Sequence, residues 1–201
     1  MKEKISKQEL IEFLNSKNPS NSSNEKNIEQ VLYFTLIWNA FEGSFFLDNE
    51  DLNNDTLGFL SQYKAKNHRY VNELYNIFRN RYVCADGKKL TGKFEKLRFC
   101  RKNGSSNENK NKDIENFVRI SLLATEEVTP ETKIKVILLI IYRFRNNLFH
   151  GAKTLFKLNH YQDIFGSINK FMICYIKDLI DDKHNIRKFL KKSVISQRKN
   201  N

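Results

Sequence analysis

The chain has 201 residues, 40% of them hydrophobic, and carries 35 Lys and Arg against 23 Asp and Glu for a formal net charge of +12. That length fills one core with extensions, whereas two independent domains would each be thin. The cationic excess favours a polyanionic partner, nucleic acid before a membrane, although lysine in polar loops and biased coding composition account for part of it.

Ser6-Lys7-Gln8-Glu9 is a capping box leading into Leu10, Phe13 and Leu14, so a short helix opens the chain. Residues 15–27 are rich in Asn and Ser and read as a loop. From about Ile28 to Phe46 runs a long helix, apolar on nearly every side and therefore expected at the centre, which Gly43 weakens near its end. Asn53-Asn54-Asp55 offers a cap for a further helix with Leu57, Leu60 and Tyr63, and Tyr70, Val71, Leu74, Ile77 and Phe78 repeat at helical spacing. Residues 82–101 are least regular: Asp86-Gly87 and Thr91-Gly92 signal turns, and Lys89 to Phe99 forms a short hairpin or another helix.

Lys102 to Asp113, poor in hydrophobics, is expected as a mobile surface loop before a helix over Ile114 to Leu123. Thr129-Pro130-Glu131 joins a capping hydroxyl, a proline at the first helical position and an acid in the first turn, opening a helix that runs to Gly151. A helix from about Asn159 carries Ile164, Phe165, Ile168, Phe171, Met172, Tyr175, Ile176, Leu179 and Ile180, and a short one follows near Asn185 to Ile195. No strand succession and no internal repeat occur. The expected fold is all-α, a bundle of about five to seven helices.

Cys84, Cys100 and Cys174, odd in number and without ligand spacing, read as free thiols in a reducing compartment, with Cys174 buried. The N-terminus has no signal-peptide core, and the longest apolar runs fall far below the roughly 20 residues needed to cross a bilayer. A soluble, cytoplasmic protein without a membrane partner is the expectation. His68, His160 and His184 lack metal-binding spacing, and no phosphate loop, dinucleotide fingerprint or serine elbow occurs.

The chemistry concentrates in Arg145-Asn146-Asn147-Leu148-Phe149-His150, closed by Gly151. Arg145 continues the apolar stripe of Ile134, Ile137 or Leu138, and Ile141, where a cation needs an anionic partner or a ligand. Asn146 and His150 share a face, roughly 6 Å apart along the axis at about 1.5 Å per residue. Arg145 and His150 lie about 140° apart, so they converge only on something lying across the groove beside the helix. The plainer reading is a surface arginine and a histidine that caps a helix end.

Arg-Asn-x-x-x-His at the end of a long hydrophobic helix, followed by Gly, resembles the signature of the HEPN family of small all-helical domains. Arg143 to His150 fits the longer spacing, but Phe144 is not the polar residue expected after the arginine, so Arg145 is preferred. The resemblance spans Ile28 to Ile180, including Trp38-Asn39-Ala40-Phe41-Glu42 on the first core helix. It divides the chain into an N-terminal helix and linker (1–23), a helical domain (24–182) with an insertion near 82–113, and a basic extension (183–201).

The resemblance implies a metal-independent endoribonuclease of toxin or antiphage-defence type, with no cofactor. It further implies a homodimer whose two motifs face one cleft, and it admits an antitoxin or regulatory protein as partner. In this chemistry a ribose 2′-hydroxyl attacks the adjacent phosphorus and leaves a cyclic phosphate. His150, with a reference pKa of about 6.5, serves as general base or acid. Arg145 binds the non-bridging oxygens. Asn146 orients ribose, phosphate or the imidazole. Only one histidine per chain belongs to the motif, so a second copy would supply the other proton-transfer group.

Glu42 either pairs with Arg145 and holds its guanidinium, or faces solvent near its helix end. Arg143 and Lys153 meet backbone phosphates or are ordinary surface charge. The tail, with Lys188, Lys191 and Lys192, is an electrostatic footprint for RNA or a solubilising end. Two further readings compete with cleavage: a non-catalytic helical module that binds RNA or a protein, and a nucleotide-binding regulator.

Overall fold

The structure, a computed structural model, describes residues 12, 25–45, 60–61, 68–99, 108–149 and 162–180. Among these residues six helices form a bundle: α1 (Glu25–Phe45), α2 (His68–Tyr82), α3 (Gly92–Glu95), α4 (Glu108–Leu123), α5 (Pro130–Phe149) and α6 (Gln162–Ile180). The expected arm, the helix opening at Asn53, the last short helix and the basic tail lie outside the described residues, apart from Glu12, Leu60 and Ser61.

Helix α5 carries more buried side chains than any other described helix, while α2 packs on four of the others. Ile134, Val136, Ile137, Leu138, Leu139, Ile140, Ile141 and Phe144 are all buried, more than one face of a helix can bury against a single neighbour. Both α2 and α4 pack on it, while α6 packs on α1 and α2. Thr129 starts α5 as its sequence predicts, its Oγ1 accepting from the Thr132 amide at 3.3 Å. Helix α1 differs from expectation. Val31, Phe34, Trp38, Phe41 and Phe45 form a buried stripe, but Leu32, Tyr33 and Leu36 are exposed, so the helix is not enclosed on all sides. Its uniform apolarity hid which side meets α6.

Side chains from one helix close the ends of others. The last carbonyls of a helix have no intrahelical partners. At the end of α4, Tyr75 Oη donates to Ser121 O at 2.5 Å, and Arg79 donates to Leu122 O at 3.3 Å and Ala124 O at 3.1 Å. Asn169 of α6, 5% exposed, donates to Gln30 O at 2.9 Å and so ties α6 to α1.

Two sequence expectations change. The polar stretch 108–113, expected as loop, is the first part of α4. Low hydrophobicity marks a solvent-facing turn as readily as a loop, and the helix is held by packing further along, where Val118 and Leu122 are buried. Residues 82–101 contain something of both alternatives. Val83 and Leu90 form an isolated antiparallel bridge around a turn in which Gly87 has φ +70°, and Gly92–Glu95 is a single helical turn. Cys174 is half-buried rather than fully buried, and Cys84 is likewise a half-buried free thiol.

Candidate functional site

The last turns of α5 present one set of residues outward and another inward. Arg145 reaches across to α1, its Nη2 lying 3.4 Å from Glu42 Oε1, with the two side chains 29% and 28% exposed. Of the two alternatives for Glu42, the structure therefore shows the ion pair. One helical turn earlier on α1, Trp38 stacks against Tyr142 of α5 at 6.3 Å between ring centroids. Trp38 with Tyr142 and Glu42 with Arg145 are successive rungs of one seam, and both rungs advance in the same chain direction. Trp38 is fully buried and Tyr142 half-buried, while the ion pair itself stays partly exposed.

Asn146 is adjacent to that pair. Its Oδ1 accepts from Arg145 Nη1 at 3.2 Å, so the guanidinium is held from two directions, by a carboxylate on α1 and by the amide beside it. A guanidinium held this way loses less rotational freedom when a phosphate arrives. The carboxylate also neutralises part of its charge. The half-exposed setting limits the net stabilisation of the pair to roughly 0–1 kcal/mol.

Arg143 and Asn147, four residues apart and thus on one face, turn toward the 97–98 backbone. Arg143 Nε donates to Leu97 O at 3.2 Å and its Nη2 donates to Arg98 O. The Arg143 guanidinium also lies 5.9 Å from the centroid of the Phe99 ring. Asn147, 5% exposed, donates from Nδ2 to Leu97 O at 3.1 Å and reaches Lys96 O at 3.5 Å. A phosphate at Arg143 would have to compete with these carbonyls.

Sequence reasoning passed over Asn147, although a signal was present. Ile140, Phe144 and Asn147 follow one another at helical spacing, which places the amide on the buried side, and a buried amide must find a partner. His150, Lys153, Lys188, Lys191 and Lys192 lie outside the described residues. Among the described residues no group of three or more His, Cys, Asp or Glu is placed to hold a metal ion, and no helix is long and apolar enough to cross a membrane.

Comparison with family models, curated proteins and solved structures yields no match. This corrects the labels that the motif's resemblance carried. The inherited labels HEPN, ribonuclease, toxin–antitoxin and antiviral defence have no relative behind them, and the classification that stands is an all-helical bundle.

Proposed function

We propose that the end of α5 is a metal-independent site that cleaves RNA, on the chemistry of its own residues and without a family or a defence role attached. The observation that carries this reading is Arg145, half-buried in the last turns of α5 and held by Glu42 and Asn146 five residues before His150. Its guanidinium is a fixed donor fork for the non-bridging oxygens of a phosphodiester. His150 removes the proton from the ribose 2′-hydroxyl as that oxygen attacks phosphorus, or protonates the departing 5′-oxygen. The products are a 2′,3′-cyclic phosphate and a 5′-hydroxyl. The second proton transfer falls to His150 of a second copy, which makes a homodimer part of the proposal.

The test is incubation of the purified chain with mixed RNA in EDTA, with detection of cyclic-phosphate ends. Wild type is expected to produce them and His150→Ala to lose them. Identical fragments from both sink the catalytic reading. Light scattering that shows an active monomer sinks the dimer.

A second reading is favoured by the Glu42 contact, which already satisfies part of the Arg145 charge. On that reading the chain is a non-catalytic helical module that binds RNA through the same face. It predicts no cleavage, with RNA affinity lowered in Arg145→Ala and unchanged in His150→Ala.

A further inference from the structure

Arg98 has φ 53°, and among the described residues it is the one non-glycine in the left-handed region. An L-residue there crowds its Cβ against the backbone, so the conformation persists only where surrounding contacts impose it. The imposing contacts come from the turn's own backbone, where Arg98 N donates to Glu95 O at 3.1 Å, and from the motif helix. Arg143 and Asn147 grip Leu97 O and Arg143 grips Arg98 O, while Leu97 and Phe99 on either side are 1% and 5% exposed. Buried anchors flank Arg98, and its own side chain is exposed. The two gripping residues share one face of α5, with Arg145 between them in sequence and turned roughly the opposite way toward Glu42, so the turn is fastened at the level of Arg145 but on the other side of the helix.

The segment so fastened is strongly basic. Lys88, Lys89, Lys93, Lys96 and Arg98 are all exposed, and the only acid from Lys88 to Arg98 is Glu95, which lies 3.6 Å from Arg119. We propose that this segment, with Arg98 and Lys96 at its fastened end, is a phosphate-binding platform for single-stranded RNA. The inference takes its ligand from the RNA-cleaving reading of the α5 site. An anionic lipid surface would attract the same charges, but Phe94, Leu97 and Phe99 are turned into the core and add no apolar insertion to such binding, and the choice of RNA follows from the α5 reading.

Binding of labelled single-stranded RNA to the full chain carrying His150→Ala is measured by fluorescence anisotropy across salt. With Lys96→Gln and Arg98→Gln added, the slope of log affinity against log salt becomes shallower by about 1.4, since each phosphate contact on a single strand contributes about 0.7. The same charge removed by Lys170→Gln and Lys177→Gln on α6, both exposed, leaves the slope unchanged. Arg98→Gly supplies a second signature: the melting temperature rises, because glycine tolerates the backbone, while RNA affinity falls.

An unchanged slope in the Lys96, Arg98 variant overturns the platform, as does an equal loss from the α6 pair. Binding to phosphatidylserine vesicles that depends on Lys96 and Arg98, with RNA binding unaffected by them, overturns the RNA assignment. An inactive wild type whose RNA binding still depends on Lys96 and Arg98 removes the cleavage proposal and leaves the platform standing. Full cleavage with a slope indifferent to those residues does the reverse.

Discussion

Replacing Asn147 with alanine tests the fastening of the α5 end to the 96–98 backbone. The substitution removes the Nδ2 donor to Leu97 O at 3.1 Å and the weaker reach to Lys96 O at 3.5 Å, at a residue only 5% exposed. One net hydrogen bond is worth about 1 kcal/mol. The void left by the amide adds up to roughly 1 kcal/mol, because Leu97 and Phe144 around it are themselves packed. Leu97 O keeps the Arg143 Nε donor at 3.2 Å, so the larger penalty for an orphaned buried acceptor does not apply. The sum is about 1–2 kcal/mol, which for a chain of this size lowers Tm by about 2–8 °C. Thermal and denaturant unfolding measure it, with Asn146→Ala as control: that amide lies one residue away and touches Arg145 instead. Asn147→Asp costs more than alanine, since a carboxylate offers the two carbonyls no donor. Hydrogen exchange in α3 and its following turn should quicken in both Asn147 variants. Asn146→Ala and Asn147→Ala agreeing within about 0.5 kcal/mol would refute the reasoning.

Glu42→Gln removes the charge beside Arg145 but keeps an acceptor; the half-exposed pair predicts a stability change under about 1 kcal/mol, so any cleavage activity should fall further than Tm does. Phe144→Ala empties a 2%-exposed site between Phe78 and Phe165 and costs about 3–5 kcal/mol by denaturant unfolding. Burial pushes the Tyr75 hydroxyl above the ordinary tyrosine value, against a smaller opposing effect of the Arg79 charge. Burial also raises Tyr70, helped by its hydrogen bond to the Asp178 carboxylate. Raised values mean that the folded state holds these protons more tightly, so their contribution is complete below the unfolded value of about 10 and is lost as pH rises beyond it. Tm followed from neutral to strongly alkaline pH should fall there, and Tyr75→Phe should soften the fall while lowering stability at neutral pH.

Much of the bundle is legible without coordinates. Thr129-Pro130 places the start of α5, and the spacing of Tyr70, Val71, Leu74 and Phe78 gives the buried face of α2. The stretch 108–113 was not legible as helix, because a run of polar residues carries no apolar periodicity to read. Glu42 had two equal readings for a related reason. Helical spacing fixes the side of α1 on which it lies, whereas the identity of what faces that side depends on where α5 crosses.

By itself the sequence determined the all-helical class, the start of α5 at Thr129-Pro130 and the concentration of polar chemistry after Phe144. These are local properties, set by side chains three and four residues apart. Only the tertiary structure decided that Arg145 turns toward Glu42 while Arg143 and Asn147 turn inward to hold the 96–98 backbone. Those contacts join residues far apart in the chain. Each depends on the angles at which packed helices meet, which side-chain periodicity along a single helix does not encode.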